Sequence, residues 1–225
     1  MDFFYSIVGF FTTGGMFMFP ILVVFAFGAA IAVERYITLA RVTQANRAVW
    51  NKVQPLLNEG DFDAAREVTS KDESTISQVL NMGLSLQGAV RRREDIEIAM
   101  EESMMEIVPR LEKRTPYVAL ASSIATLLGL LGTIMGLIQA FTAVANANPA
   151  EKADLLSASI SVAMNTTAFG LMVASPLLVV HAILSSKTGD IVDSLEMATV
   201  KALNVFSRRA KRPASIESEP VPAEA

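Results

Sequence analysis

Apolar residues run without a single Asp, Glu, Lys or Arg through positions 3–33, 115–150 and 155–186. Each run is longer than the roughly 20 apolar residues a helix needs to cross the hydrocarbon core of a bilayer. The pattern therefore predicts three membrane-spanning helices. Between the first and second runs it becomes amphipathic. Glu59-Gly60-Asp61-Phe62-Asp63 reads as a turn followed by a helix with Asp61 as its N-cap. A second polar-segment helix is expected over about 74–86. A third starts near Arg93, with Ile96, Ala99, Met100, Ser103, Met104, Ile107 and Leu111 close to helical spacing. Pro109 and Pro116 interrupt this helix, but a spanning helix with neighbours can absorb a proline kink, so it is expected to continue into the second span. After the third run, Ile191, Leu195, Ala198, Ala202 and Val205 keep a helical stripe as far as Arg208. No internal repeat is evident.

The charges between the runs set the orientation. Of nineteen Lys and Arg residues, eighteen are Arg35, those within 41–114 and those after position 186; only Lys152 falls between the second and third runs. Basic residues flanking spans stay in the cytoplasm, which puts the N-terminus and the 146–154 loop outside and the C-terminus inside. The expected organisation is an external or interfacial segment 1–15, spans at 16–40, 115–145 and 155–186, a cytoplasmic helical region 41–114, the external loop 146–154, a cytoplasmic helix 187–212 and a disordered tail 213–225 rich in Pro, Ser, Glu and Ala. The fold class is an all-α membrane protein, with three transmembrane helices and long cytoplasmic helical extensions. Phe3, Phe4, Tyr5, Phe10 and Phe11 fit either an interfacial helix that bends at Gly14-Gly15 or the outer end of the first span. The first fifteen residues lack the basic start of a cleaved signal peptide.

Composition narrows the chemistry. A net charge of −4 gives no argument for a nucleic-acid partner, and the absence of cysteine excludes disulfides and thiolate chemistry. No phosphate-binding glycine loop, no nucleophile with a base and no cluster of metal ligands is present, so neither an enzyme nor a cofactor or metal site is expected. A membrane carrier of its own proton usually holds an acid or Lys within the bilayer. Here the only titratable side chain deep in a span is His181, which fits a hydrogen-bonded interfacial role better than a relay. What the spans do carry is small and hydroxylated residues. Ala121, Ala125, Gly129, Gly132, Gly136 and Ala140 recur every three or four positions, as do Ser159, Ala163, Thr167, Gly170 and Ala174. Such stripes let helix backbones approach closely in lipid and are expected to pack neighbouring subunits into a ring. Thr126 and Thr133 share a face. The spacing fits both a polar lining and a packed bundle whose hydroxyls bond their own carbonyls.

Residues 128–141, LGLLGTIMGLIQAF, and 163–176, AMNTTAFGLMVASP, resemble the second- and third-span signatures of the MotA/TolQ/ExbB family. Three spans with a cytoplasmic segment after the first are similar to the ExbB and TolQ branch; flagellar MotA proteins have four. The resemblance implies a subunit of an ion-driven motor in the bacterial inner membrane, with a periplasmic N-terminus and a cytoplasmic C-terminus, that turns proton-motive force into work on the cell envelope. Five copies would ring a pore holding two single-span ExbD- or TolR-like partners, each bringing a membrane Asp, and a TonB-like protein would pass the work to outer-membrane transporters. A TolQ-type constriction motor is the alternative output. A passive scaffold or a monomeric solute carrier fits the paired signatures less well. On this resemblance Thr133, Thr166 and Thr167 line the ion route, while Gly129, Gly132, Gly136, Ala163, Gly170 and Ala174 pack helices. Two departures stand out: Thr126 occupies a position where many members have Pro, and Val162 one where many have Glu. The Thr166-Thr167 pair resembles that of sodium-driven stators, which keeps sodium beside the proton as the transported ion. Arg110, Lys113, Arg114 and Lys187 are placed to meet anionic lipid at the cytoplasmic face.

Overall fold

The protein is described from a computed structural model over residues 15–88 and 92–210. Six helices account for nearly all of it: α1 (Met18–Glu59), α2 (Phe62–Ser70), α3 (Thr75–Leu86), α4 (Arg93–Glu112), α5 (Thr115–Asn146) and α6 (Lys152–Ala210). Three helical stretches are long and apolar enough to cross a membrane, and the molecule is an all-α membrane protein. The aromatic residues of the N-terminal segment and the tail beyond Ala210 lie outside the described residues.

Two compact units can be separated. One comprises residues 15–39 and 112–187, the other residues 40–88, 92–111 and 188–210. In the first, α1 buries Met18, Ile21, Ala32, Arg35 and Leu39 along one stripe. At Gly28 an added Cβ would lie 2.9 Å from the Ala121 Cβ and 3.2 Å from Leu177, so α1, α5 and α6 meet closely there. Only about a third of each apolar window is buried (28%, 33% and 33%). Phe19, Phe27, Leu127, Phe141 and Met172 are each more than 60% exposed. Water would oppose so much bare apolar surface; lipid tails or other membrane proteins would cover it.

The helix expected to run through Pro109 and Pro116 does so only at Pro109, which lies inside α4. At Pro116 the chain stops and restarts. The ring would strike the carbonyl of Glu112 and supplies no N–H, so α4 ends at Glu112 and α5 starts at Thr115 with proline in its first turn, a position that needs no donor. Arg114 takes up the turn in the left-handed region, at φ 70°. Its guanidinium lies 3.8 Å from Glu34, an exposed pair that contributes little on its own.

In the second unit Asp61 caps α2, accepting a hydrogen bond from the Ala64 amide at 3.0 Å. Ser74 caps α3, which begins one residue later than the apolar pattern suggested. Hydrogen bonds, foremost from Ser74, hold the neighbouring Asp72 carboxyl below the usual carboxylate range. Of the stripe expected after the third span, Ile191, Leu195, Ala198 and Ala202 are buried while Val205 is half-buried, and Phe206 takes the last buried position, its ring meeting Phe62 edge-to-face at 5.3 Å. Asn46, 4% exposed, ties α1 to α3. Its amide donates to Thr75 Oγ1 at 2.8 Å, and its Oδ1 accepts from the Ile76 amide at 3.2 Å. Asn46→Ala would leave the buried Ile76 amide and the half-buried Thr75 hydroxyl without this partner, and a buried group left unsatisfied costs about 1–3 kcal/mol. Thermal unfolding in mild detergent should therefore shift down clearly; an unchanged transition would contradict this role.

A candidate ion pathway between α5 and α6

The two small-residue stripes face each other within one protomer. An added Cβ on Gly136 would sit 2.7 Å from the Ala163 Cβ, and one on Gly129 3.2 Å from the Gly170 Cα. At Gly132 it would collide with the Thr166 methyl, and at Gly170 it would lie 2.8 Å from the Ala125 carbonyl oxygen. Ala121, Ala125, Ala140, Ala163 and Ala174 are all buried. The expectation that these stripes join neighbouring subunits thus meets a different use: they join α5 to α6 of the same chain. The reason is connectivity. Residues 147–151 make a short turn that brings the two spans together antiparallel, and their smallest faces allow the closest approach.

The hydroxyls gather in this seam. Thr133 Oγ1 and Thr167 Oγ1 are in direct hydrogen-bond contact across it. Thr167 Oγ1 donates to the Gly129 carbonyl at 2.9 Å. Thr133 Oγ1 has two further carbonyl acceptors at near-equal distance, Gly129 at 3.3 Å and Ala163 at 3.4 Å, so no single orientation of its proton is fixed. Both threonines are half-buried. Each hydroxyl offers one proton and two lone pairs. The pair can therefore accept from a protonated acid brought alongside, and by turning the Thr133 hydroxyl it can donate to an ionised one. No carboxylate of this chain lies in the apolar runs.

Thr166 is placed differently. It is 2% exposed, with its methyl against Gly132 and its hydroxyl donating to the Val162 carbonyl at 3.0 Å. Thr126 is exposed and donates to its own helix at the Ser122 carbonyl, 3.1 Å away. Val162 lies against Gly15, and His181 is half-buried. Among the described residues no group of His, Cys, Asp and Glu could hold a metal ion. Of the basic residues placed at the cytoplasmic face, Lys187 stacks over the Tyr36 ring at 4.0 Å and Arg110 is 3.7 Å from Glu106.

The burial of Ser122 and of Arg35 was not read from the sequence. Ser122 Oγ donates to the Ala174 carbonyl at 2.7 Å across the seam. It is one residue from the Ala121–Ala125 stripe, and that position could have marked it. Arg35, taken as the charged end of the first span, is only 5% exposed. Its signal is the spacing: Ala32, Arg35 and Leu39 share one helix face, so the arginine stem follows the buried stripe.

Comparison with known proteins places the chain among relatives of one family. A biopolymer transport ExbB homolog of Methanothermobacter thermautotrophicus is 24% identical over 200 residues, 88% of this chain and 69% of its own length. The ExbB-like 3 protein of Synechocystis is 25% identical over 162 residues, covering 72% and 76% of the two chains. The Tol-Pal system protein TolQ of Haemophilus influenzae is 32% identical over 93 residues, 41% of this chain and 40% of its own. Residues 71–197, more than half of the chain and including the whole α5–α6 seam, match the pattern of one family. With three apolar spans and a hydroxyl-lined seam where that family's signatures fall, the chain belongs to the MotA/TolQ/ExbB proton channel family.

Proposed function

We propose that this chain is the ring-forming subunit of an inner-membrane motor of the ExbB/TolQ type, driven by protons and acting on the cell envelope, most simply by energising TonB-dependent outer-membrane transport. The observation that carries the reading is the Thr133–Thr167 hydroxyl pair in a seam built largely of glycine and alanine. A moving carboxylate must lose its water in the bilayer, and hydroxyls that both donate and accept lower that cost in either protonation state. The carboxylate would be the membrane Asp of an ExbD- or TolR-like single-span partner, present as a dimer within a pentameric ring. Exposed apolar faces of α1, α5 and α6 supply the surface for ring contacts and lipid. The excess of basic residues on one side of the spans supports a periplasmic N-terminus and a cytoplasmic C-terminus, and Lys113 is exposed where anionic headgroups would lie.

Protons are favoured over sodium because the Thr166 hydroxyl is turned to its own helix, which leaves a thin oxygen shell for a hard cation. The test is ion flux in proteoliposomes holding this chain and its single-span partner. Flux should collapse when a protonophore dissipates the proton gradient and potential, and should not change with external sodium at fixed pH and potential. Full activity sustained by a sodium gradient after the protonophore would overturn the proton reading. Flux from this chain alone, with no partner, would overturn the motor reading.

A further inference from the structure

Within the second unit, between the last turns of α1 and the end of α6, lies a polar cleft of about 290 Å³. Trp50, Gln54 and Asn58 line one side; Lys201, Asn204 and Arg208 line the other. No carboxylate lines it. Lys201 Nζ stands 5.6 Å from the Trp50 ring centroid, and Arg93 donates to Asn204 Oδ1 at 3.4 Å, which brings a third cation to the rim. The cleft is thus a cationic, amide-rich trough with one aromatic wall, a surface suited to a short acidic peptide.

We propose that its occupant is the chain's own segment 211–225, seated through Glu217 and Glu219. Charge and reach both point there. Beyond Lys211 and Arg212 the segment carries only acidic side chains among its charges, Glu217, Glu219 and Glu224, the sign the cleft lacks. Ile216 and Val221 flank the first two acids and can lie on the Trp50 face. The described part of α6 ends at Ala210, two residues beyond Arg208. From Arg208 to Lys201 along the helix is about 10 Å at 1.5 Å per residue. The seven residues from the end of α6 at Ala210 to Glu217 reach up to roughly 23 Å when extended, so the acids can turn back over both cations. A tether this short gives an effective concentration in the millimolar range, enough to fill a site that would bind the free peptide weakly. The seat is built from other residues than the ion pathway and does not depend on the motor reading.

Trp50 is the only tryptophan in the chain and there is no cysteine, which makes the test direct. In detergent, acrylamide quenching of Trp50 should rise at least twofold when the chain is cut after Arg212, and likewise in the full-length double variant Glu217→Gln/Glu219→Gln. Synthetic peptide 211–225 added to the cut chain should restore protection. Salt near 1 M, where the screening length is about 3 Å, should remove protection from the intact chain. With Asn58→Cys and Ser218→Cys together, mild oxidation should give a disulfide within one chain, seen as a monomer of altered mobility on a denaturing gel. Mainly disulfide-linked dimers would assign the seat to a neighbouring copy's tail and overturn the proposal. Equal quenching in the intact, cut and Gln variants would overturn it too, as would a change in the cut chain that the Gln variant does not share.

Discussion

Replacing Thr133 and Thr167 together by Val is expected to leave the protein folded and assembled while cutting ion-driven activity at least tenfold. Valine keeps the branched shape, so the seam still closes around Gly129 and Gly170. The carbonyls that accept from these hydroxyls, Gly129 and Ala163, belong to helix interiors and keep their backbone partners. The stability cost should stay near the 1 kcal/mol of a typical neutral hydrogen bond. On the proposed reading, the transported acid fares differently. A hydrogen bond to a charged group contributes about 1.5–3 kcal/mol, and each 1.4 kcal/mol added to a barrier slows a step about tenfold. Proton flux in partner-containing proteoliposomes would measure the loss, and native mass would report the ring. Wild-type flux in an intact ring would rule the pair out as pathway residues. Thr166→Val should have the smaller effect on flux, because that hydroxyl is turned into its own helix.

Gly170→Val should be the most disruptive single change in the seam. Even a Cβ there would come within 2.8 Å of the Ala125 oxygen and 2.9 Å of the Gly129 Cα. Both are backbone atoms in the middle of a helix, so neither can rotate aside as a side chain would. Overpacking against a rigid wall costs about 1–3 kcal/mol or more, and here it would also push Thr167 out of register with Thr133. Thermal unfolding should move down sharply and flux should fall with it. Gly189 is the control: no heavy atom lies within 4 Å of its Cβ position, and Gly189→Ala should stabilise α6 by roughly 0.5–1 kcal/mol through helix propensity. Equal losses at the two glycines would mean that the close contact at Gly170 does not govern stability.

The spans were legible because a bilayer demands one property over a long run, and charge-free stretches this long have few other readings. The cap at Asp61 was legible because capping is local chemistry. The break at Arg114 was not. Pro109 and Pro116 look alike in sequence, and only the left-handed Arg114 lets the chain restart with proline in the first turn of α5. The seam was half legible. The recurrence of Gly129, Gly132 and Gly136 announced a close approach but could not say whether the partner was α6 of the same chain or of the next. The threonines were legible as residues and not as roles: Thr166 and Thr167 are adjacent, about 100° apart around one helix, and only their neighbours decide that one faces Val162 and the other Thr133. Arg35 hid behind its charge, which reads as a span's end although its stem follows an apolar stripe.

A joint made of α-carbons behaves differently under load from one made of interleaved leucines. Where Gly129 meets Gly170 there are no side-chain rotors to twist or compress, and Ser122 pins the same joint to the Ala174 carbonyl. Close-packed contacts of this kind shift between discrete arrangements and do not deform smoothly. The paired spans of one protomer should therefore act as a single stiff stave, passing on a force applied at the threonines with little slack. In the motor proposed above, whatever slips as it advances would do so on the greasy outer faces, where contacts are many, shallow and easily exchanged.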